Sequence, residues 1–303
     1  MKRNFFFIIL LSVSVIAQQQ DSSIIFVSDT QQPLWIETLR LEEHDNKKAT
    51  KIIFRAIEHE TTDVAIFHLG DFTSIGMFDS YWSSFDEFYK NIRVPLYPIM
   101  GNHEYYLFQK PALKQFRKRF PSIITPWYSV VVKSVAIITL NSNFSQLSDE
   151  EISLQDRWYR EQLSKFGADS TIRSIIVLCH HSPYTNSTIV DPSLEVQRQF
   201  LDPFLTHHKT SVFISGHAHA YEHFQKNGKE LLVIGGGGGL LQPLLFGKEQ
   251  RYYDLFSQMH SLRFFHYIEC TVQQNSLQFL VKKLRNDFSG FEIADTVTVS
   301  YKQ

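Results

Sequence analysis

Residues 96–104 read LYPIMGNHE: an apolar run from Leu96 to Met100, a glycine, then an amide, an imidazole and a carboxylate. The run has the length of a buried strand, and Gly101 lets the chain turn sharply where it ends. The same pattern recurs four times. Residues 24–27 lead into Asp29-Thr30-Gln31 and residues 64–67 into Gly70-Asp71. Residues 175–178 lead into His180-His181, and residues 212–214 into Gly216-His217-Ala218-His219. Strand ends of open α/β sheets are where sites form, because the sheet fixes the backbone while the turns supply the chemistry. Taken singly, a Gly-Asp is most often a turn and a buried histidine a core residue. Here six of the 13 histidines (His103, His180, His181, His217, His219 and His223) fall in or beside three of these turns, a concentration that points to a metal centre.

Outward from these turns, residues 48–60, 81–91, 111–120, 148–166 and 194–207 carry helical spacing between the apolar runs, so the order predicts βα units and a layered α/β fold. Ser148, Asp149 and Glu151 form a helix-start signal. The last third is extended, at residues 231–234, 264–272 and 277–281, and reads as a strand-rich half closing the same domain. Lys114, Arg117, Lys118 and Arg119 read as the solvated face of a helix whose apolar face is Phe116 and Phe120.

The chain has 303 residues, 43% of them hydrophobic and 20% charged, so it can bury a large core. With 30 Lys plus Arg against 31 Asp plus Glu, its net charge of −1 gives no reason to expect nucleic acid or an anionic membrane as partner; any affinity for an anion must be local. Lys2 and Arg3, an apolar stretch and Ala17 read as an export leader, residues 1–17, cleaved before a single domain at 18–303. Its apolar stretch is shorter than the roughly 20 residues of a membrane-spanning helix, so no stable membrane insertion is expected after cleavage. A secreted or periplasmic location follows. Cys179 and Cys270 are too few for a disulfide framework and sit in apolar runs, as small buried hydrophobes do.

In order, the motifs D-x-Q (29–31), GD (70–71), GNHE (101–104), HH-x-P (180–183) and GHAH (216–219) resemble the calcineurin-like metallophosphoesterases, over residues 24–281. The resemblance implies a four-layer αββα sandwich carrying two divalent ions. Carried over by position, Asp29 binds the first ion, Asp71 bridges both, and Asn102 binds the second through its amide oxygen. His217 joins the second ion and His219 the first. His181 is preferred to His180 as the remaining ligand, because it lies two residues before Pro183; His180 then falls on the substrate side. His103 is the implied proton donor to the leaving oxygen. Asp71 also serves catalysis by holding both ions about a bridging hydroxide.

Two positions depart from the family pattern. Gln31 stands where a histidine is usual; its amide oxygen is a weaker donor to zinc than imidazole, which tilts the first site from Zn towards Mn, Fe or Mg. GHAHAYE at 216–222 is similar to the purple acid phosphatase branch, yet Ser74 stands where that branch carries its iron-ligating tyrosine. Two divalent ions about 3.5–4 Å apart suit phosphoryl transfer, since they lower the pKa of water and offset the phosphoryl charge.

The expected activity is hydrolysis of a small phosphate ester, with a monoester favoured. The alternatives are a diesterase acting on a nucleotide or lipid head-group, or a metal- and phosphate-binding protein without turnover. Around the site, Glu104 is expected to anchor a turn. Tyr105, Tyr106, Tyr184 and Asn186 are candidates to line a pocket, and His223 to meet a phosphate oxygen or to pack behind. Residues 235–239 lack the lysine of a phosphate loop and read as a glycine turn beside the metal loops.

Overall fold

The structure is a computed structural model and describes residues 23–60, 63–256 and 261–301. The expected leader, residues 1–17, lies outside them. Strands β1 (Ser23–Val27), β2 (Asp63–His68) and β3 (Leu96–Pro98) run parallel, and β10 (His266–Val272), β11 (Ser276–Leu284) and β12 (Phe291–Ser300) extend the same sheet antiparallel from the β1 side. The second sheet has the order β4 (Tyr128–Val132), β5 (Val135–Thr139), β6 (Ser174–Leu178), β7 (Thr210–Ser215), β9 (Lys229–Ile234), β8 (Tyr221–Lys226), with β5, β6, β7 and β9 parallel.

The two sheets lie face to face because their strands are apolar on both sides. Ile24 and Phe26 of β1 point into the core between the sheets, with Ile176 and Leu178 of β6 opposite. Their neighbours Ile25 and Val27 point outward under the helices α1 (Asn46–His59), α2 (Ser83–Asn91) and α3 (Gln109–Arg119). On the other side Ile175 and Val177 meet α4 (Asp149–Ala168) and the helical segment that includes α5 (Leu194–Val196) and α6 (Asp202–Thr206). Alternate side chains of a strand face opposite ways, so one apolar run serves two cores. The result is the αββα sandwich the resemblance implied. Phe54 of α1 stacks on Phe88 of α2 with ring centroids 3.9 Å apart. Truncating either to alanine would cost about 3–5 kcal/mol.

Ser148 starts α4 with a capping box: its hydroxyl accepts from the Glu151 amide, and the Glu151 carboxylate accepts from the Ser148 amide. The helix expected over 194–207 is instead interrupted by a π-turn, Gln197–Leu201, ahead of Pro203, which lacks the amide hydrogen an unbroken α-helix would use. Arg119 is not on a solvated face. It is buried over the Trp82 ring and donates through Nε and an Nη to both oxygens of Asp86, each at 2.6 Å, tying α3 to α2. Cys179 and Cys270 are buried free thiols. No helix among the described residues is long and apolar enough to cross a membrane.

Candidate metal centre

The parallel strands of both sheets end along one edge of the sandwich, and there the expected turns converge. Asp29, Asp71 and His217 adopt left-handed backbone, with φ of 58°, 56° and 67°. Non-glycine residues rarely hold that conformation, and it persists where surrounding contacts over-determine it. Those contacts are present. The amides of Asp29 and Thr30 donate to the carbonyls of Gly70 and Asp71, and the amide of His217 donates to the Asp29 carboxylate at 3.0 and 3.1 Å. Gly70 (φ +98°) packs so tightly that a Cβ there would lie 2.5 Å from the Gly101 nitrogen, so two motifs touch backbone to backbone.

Two groups of metal-capable side chains result. In the first, Asp29, Asp71 and His219 place ligand atoms within 4.8 Å of one another, all buried. His219 donates from Nδ1 to the Leu240 carbonyl at 2.8 Å, which leaves its Nε2 lone pair facing Asp29 Oδ1 at 3.4 Å. Gln31 brings its amide nitrogen 3.2 Å from that Nε2, while its Oε1 is buried without a hydrogen-bond partner. In the second group His180, His181 and His217 converge within the same 4.8 Å.

Both histidines meet His217, and His180 also meets Asn102 and Asp71. Its Nδ1 donates to the Leu69 carbonyl at 2.8 Å, and its Nε2 lies 3.0 Å from Asn102 Oδ1 and 3.3 Å from Asp71 Oδ2. His181 bonds the Ser142 hydroxyl through Nδ1 at 2.8 Å and faces an open cavity. Strand parity explains why it is His180 that lies against Asp71 and Asn102. Ile176 and Leu178 face the other sheet, so the next residue of that parity, His180, faces Asp71 and Asn102, whereas Cys179 has the opposite parity.

The donor set suits cations. Burial, reinforced by neighbouring imidazoles, pushes His181 down to about 3 and His217 well below its ordinary value, so both are neutral and offer lone pairs. Burial works against charge on Asp71 as well, but His180 and His103 outweigh it and hold its carboxyl well below the usual range. Asp71 Oδ2 has no hydrogen bond although it is buried, and its carboxylate touches both groups. An orphaned carboxylate oxygen and an orphaned amide oxygen beside converging imidazoles are what a bound divalent cation would satisfy.

Around this core, His103 donates from Nδ1 to the Ser74 carbonyl at 2.7 Å, which turns Nε2 towards Asp71, 3.9 Å from Oδ2; its ring stacks on Tyr106. The Ser74 hydroxyl donates to the Gln32 carbonyl. Glu104 is fully buried and accepts from the amides of Gly101, Asp71 and Phe72 at 2.7–2.8 Å, clamping the second and third motifs together. His223 does not reach the site: it sits between Glu230, 2.8 Å from Nε2, and Asp295, 3.4 Å from Nδ1. Residues 235–239 pack against the first group, Gly237 and Gly239 donating to the carbonyls of Ser28 and Asp29. Sequence reasoning missed Ser142 and Asn143 at the end of β5, whose signal was an apolar run followed by Asn141-Ser142-Asn143, a turn without histidine or carboxylate.

A family model described as calcineurin-like phosphoesterase matches residues 22–221. Tartrate-resistant acid phosphatase type 5 of Sus scrofa is 25% identical over 253 residues, covering 71% of each chain. Purple acid phosphatase 15 of Arabidopsis thaliana is 26% identical over 176 residues, which are 52% of this chain but 32% of that protein, so the chain spans about a third of that relative's length. Among solved structures, GAP50, the anchor in the inner membrane complex of Plasmodium, superposes with a TM-score of 0.67 at 14% identity, covering 94% of this chain and 90% of that one, a likeness of fold.

Proposed function

The chain belongs to the calcineurin-like phosphoesterase family, and on that premise we propose that it is an exported phosphomonoesterase dependent on two divalent ions. The observation that carries the reading is Asp71, whose buried carboxylate touches both ligand groups and lies beside His103. Asp29, Asp71, His219 and Gln31 would hold one ion; Asp71, Asn102, His180 and His217 the other, with His180 taking the ligand role first given to His181. Bound there, the ions supply Lewis acidity, lowering the pKa of a water and offsetting the charge on the phosphoryl oxygens.

The chain's own residues do the rest. His103, fixed through Nδ1 on the Ser74 carbonyl, carries a mobile proton on Nε2 and delivers it to the leaving oxygen. Glu104 keeps Asp71 and Gly101 in register by accepting their amides. Gln31 puts a neutral oxygen where an imidazole is usual, which favours manganese, iron or magnesium over zinc. Export rests on the basic and apolar leader that ends at Ala17.

The test is metal-stripped protein reloaded with manganese or zinc and assayed on p-nitrophenyl phosphate and bis(p-nitrophenyl) phosphate, with metal content measured. Wild type should bind two equivalents and prefer the monoester. His103→Ala should keep both ions and lose turnover by roughly 10²–10⁴, whereas Asp71→Asn should lose ions and activity together. Loaded wild type that hydrolyses neither ester would make the chain a binding protein; preference for the diester would make it a phosphodiesterase.

A further inference from the structure

Beside the second ligand group opens a cavity of about 620 Å³, within the ~300–1,000 Å³ of small-molecule sites. Asn102 and His181 form its metal side; Tyr106, Phe144, Gln146 and Glu195 are among its other walls. Tyr106 lies 5.8 Å from the His103 ring at 17°, so an aromatic plane stands next to the proton donor. The remaining walls are mostly serine, amide and phenol groups, and Glu195 is the only Asp, Glu, Lys or Arg among the lining residues. Arg198 meets Glu195 at 3.6 Å but is mostly exposed, so water screens that pair.

Charge decides what such a cavity accepts. A second phosphate group carries up to two negative charges and is recognised by guanidinium or ammonium donors. None lines this cavity, and Glu195 would repel it. Ring faces and amides suit an uncharged, ring-bearing alcohol. Resting on the phosphomonoesterase reading, we propose that the cavity seats the alcohol half of the substrate, that the substrate class is the monoester of an uncharged nucleoside-like or aryl alcohol, and that Glu195 excludes alcohols bearing a second phosphate.

The experiment compares kcat/KM on metal-loaded protein for release of the 5′-phosphate of AMP and of adenosine 3′,5′-bisphosphate, which differ by one 3′-phosphate group, with p-nitrophenyl phosphate as reference. Wild type should favour AMP over the bisphosphate about tenfold or more. Glu195→Lys should close most of that gap through KM, leaving p-nitrophenyl phosphate within about twofold. Tyr106→Ala should raise KM for p-nitrophenyl phosphate and AMP several-fold and leave inhibition by inorganic phosphate unchanged, which separates a wall of the cavity from the metal centre. Equal use of AMP and the bisphosphate by wild type, or a gap that Glu195→Lys does not move, overturns the assignment while leaving the phosphomonoesterase reading intact. Failure to hydrolyse any of the three removes both.

Discussion

Glu104 accepts three backbone amides while buried, although burial and the charge of Asp71 push its pKa up to about 7. Glu104→Gln turns one acceptor into a donor facing those amides, leaving at least one buried N–H unpaired. The expected loss is about 2–4 kcal/mol in the metal-free protein, read from urea midpoints under chelation. An unchanged midpoint would mean that the turns hold without the clamp. At this scale the residue types of the site were legible: aspartates, an asparagine and histidines at strand ends announced a metal centre, and the structure gathers them. The distance to Pro183 does not say which of His180 and His181 lies against Asp71; a strand assigns sides by parity, and Ile176 and Leu178 set the side of His180. His223 misled for a different reason, since one of its partners, Asp295, comes from a strand the sequence did not reveal.

That strand, β12, is one of three missed, with β4 and β8, and all three are sheet edges. An edge strand pairs on one side, and β12 reads FEIADTVTVS, with exposed Glu292, Thr296 and Thr298 breaking any apolar run. Central strands were legible because they are buried on both faces; these three edges were not, since polar and apolar positions mix there, whereas the edge β3 was marked by the apolar run that leads into Gly101. Two of the four sheet edges, β8 and β12, are joined by His223 and by Tyr221, whose hydroxyl donates to Asp295 at 2.8 Å. Burial opposes charge on His223, but hydrogen bonds to Asp295 and Glu230 and their charges outweigh it and raise its pKa to about 9. A pKa raised from 6.5 on folding stabilises fully below pH 6.5, and that stability fades as pH climbs through about 9. The contribution is about 3 kcal/mol. His223→Asn should therefore be less stable than wild type at pH 6, and the gap should shrink by pH 10, as followed by urea titration at both values. A gap of equal size at both would show that His223 is not held as a cation.

For the whole molecule, Asp29, Asp71 and Asn102 come from the first sheet and His180, His217 and His219 from the second, so any ion bound between them links the two halves of the sandwich. An ion present at a hundred times its dissociation constant stabilises by about 2.7 kcal/mol, and about 2–4 °C per kcal/mol is usual for chains near this size. Chelation should accordingly lower Tm by roughly 5–10 °C in wild type and leave Asp71→Asn unmoved; equal melting with and without chelator would argue against ions that span the sheets. The layered α/β class was legible from alternating runs and the two-sheet sandwich from the motifs' resemblance, but which run belongs to which sheet was not. Residues 24–27 and 175–178 look alike as apolar runs, and only pairing of the last strands back onto the first, Ile24 beside Cys270, separates them. The split has a side in time. Asp29 and His217, joined by a hydrogen bond, stand 188 positions apart, so a chain leaving the ribosome or a translocation pore owns no finished first group until His219 is out. A chain stopped before His217 would lack ligands of both groups, so metal content would serve as an integrity seal: any ion retained would certify that the early and late halves of the polypeptide have found one another.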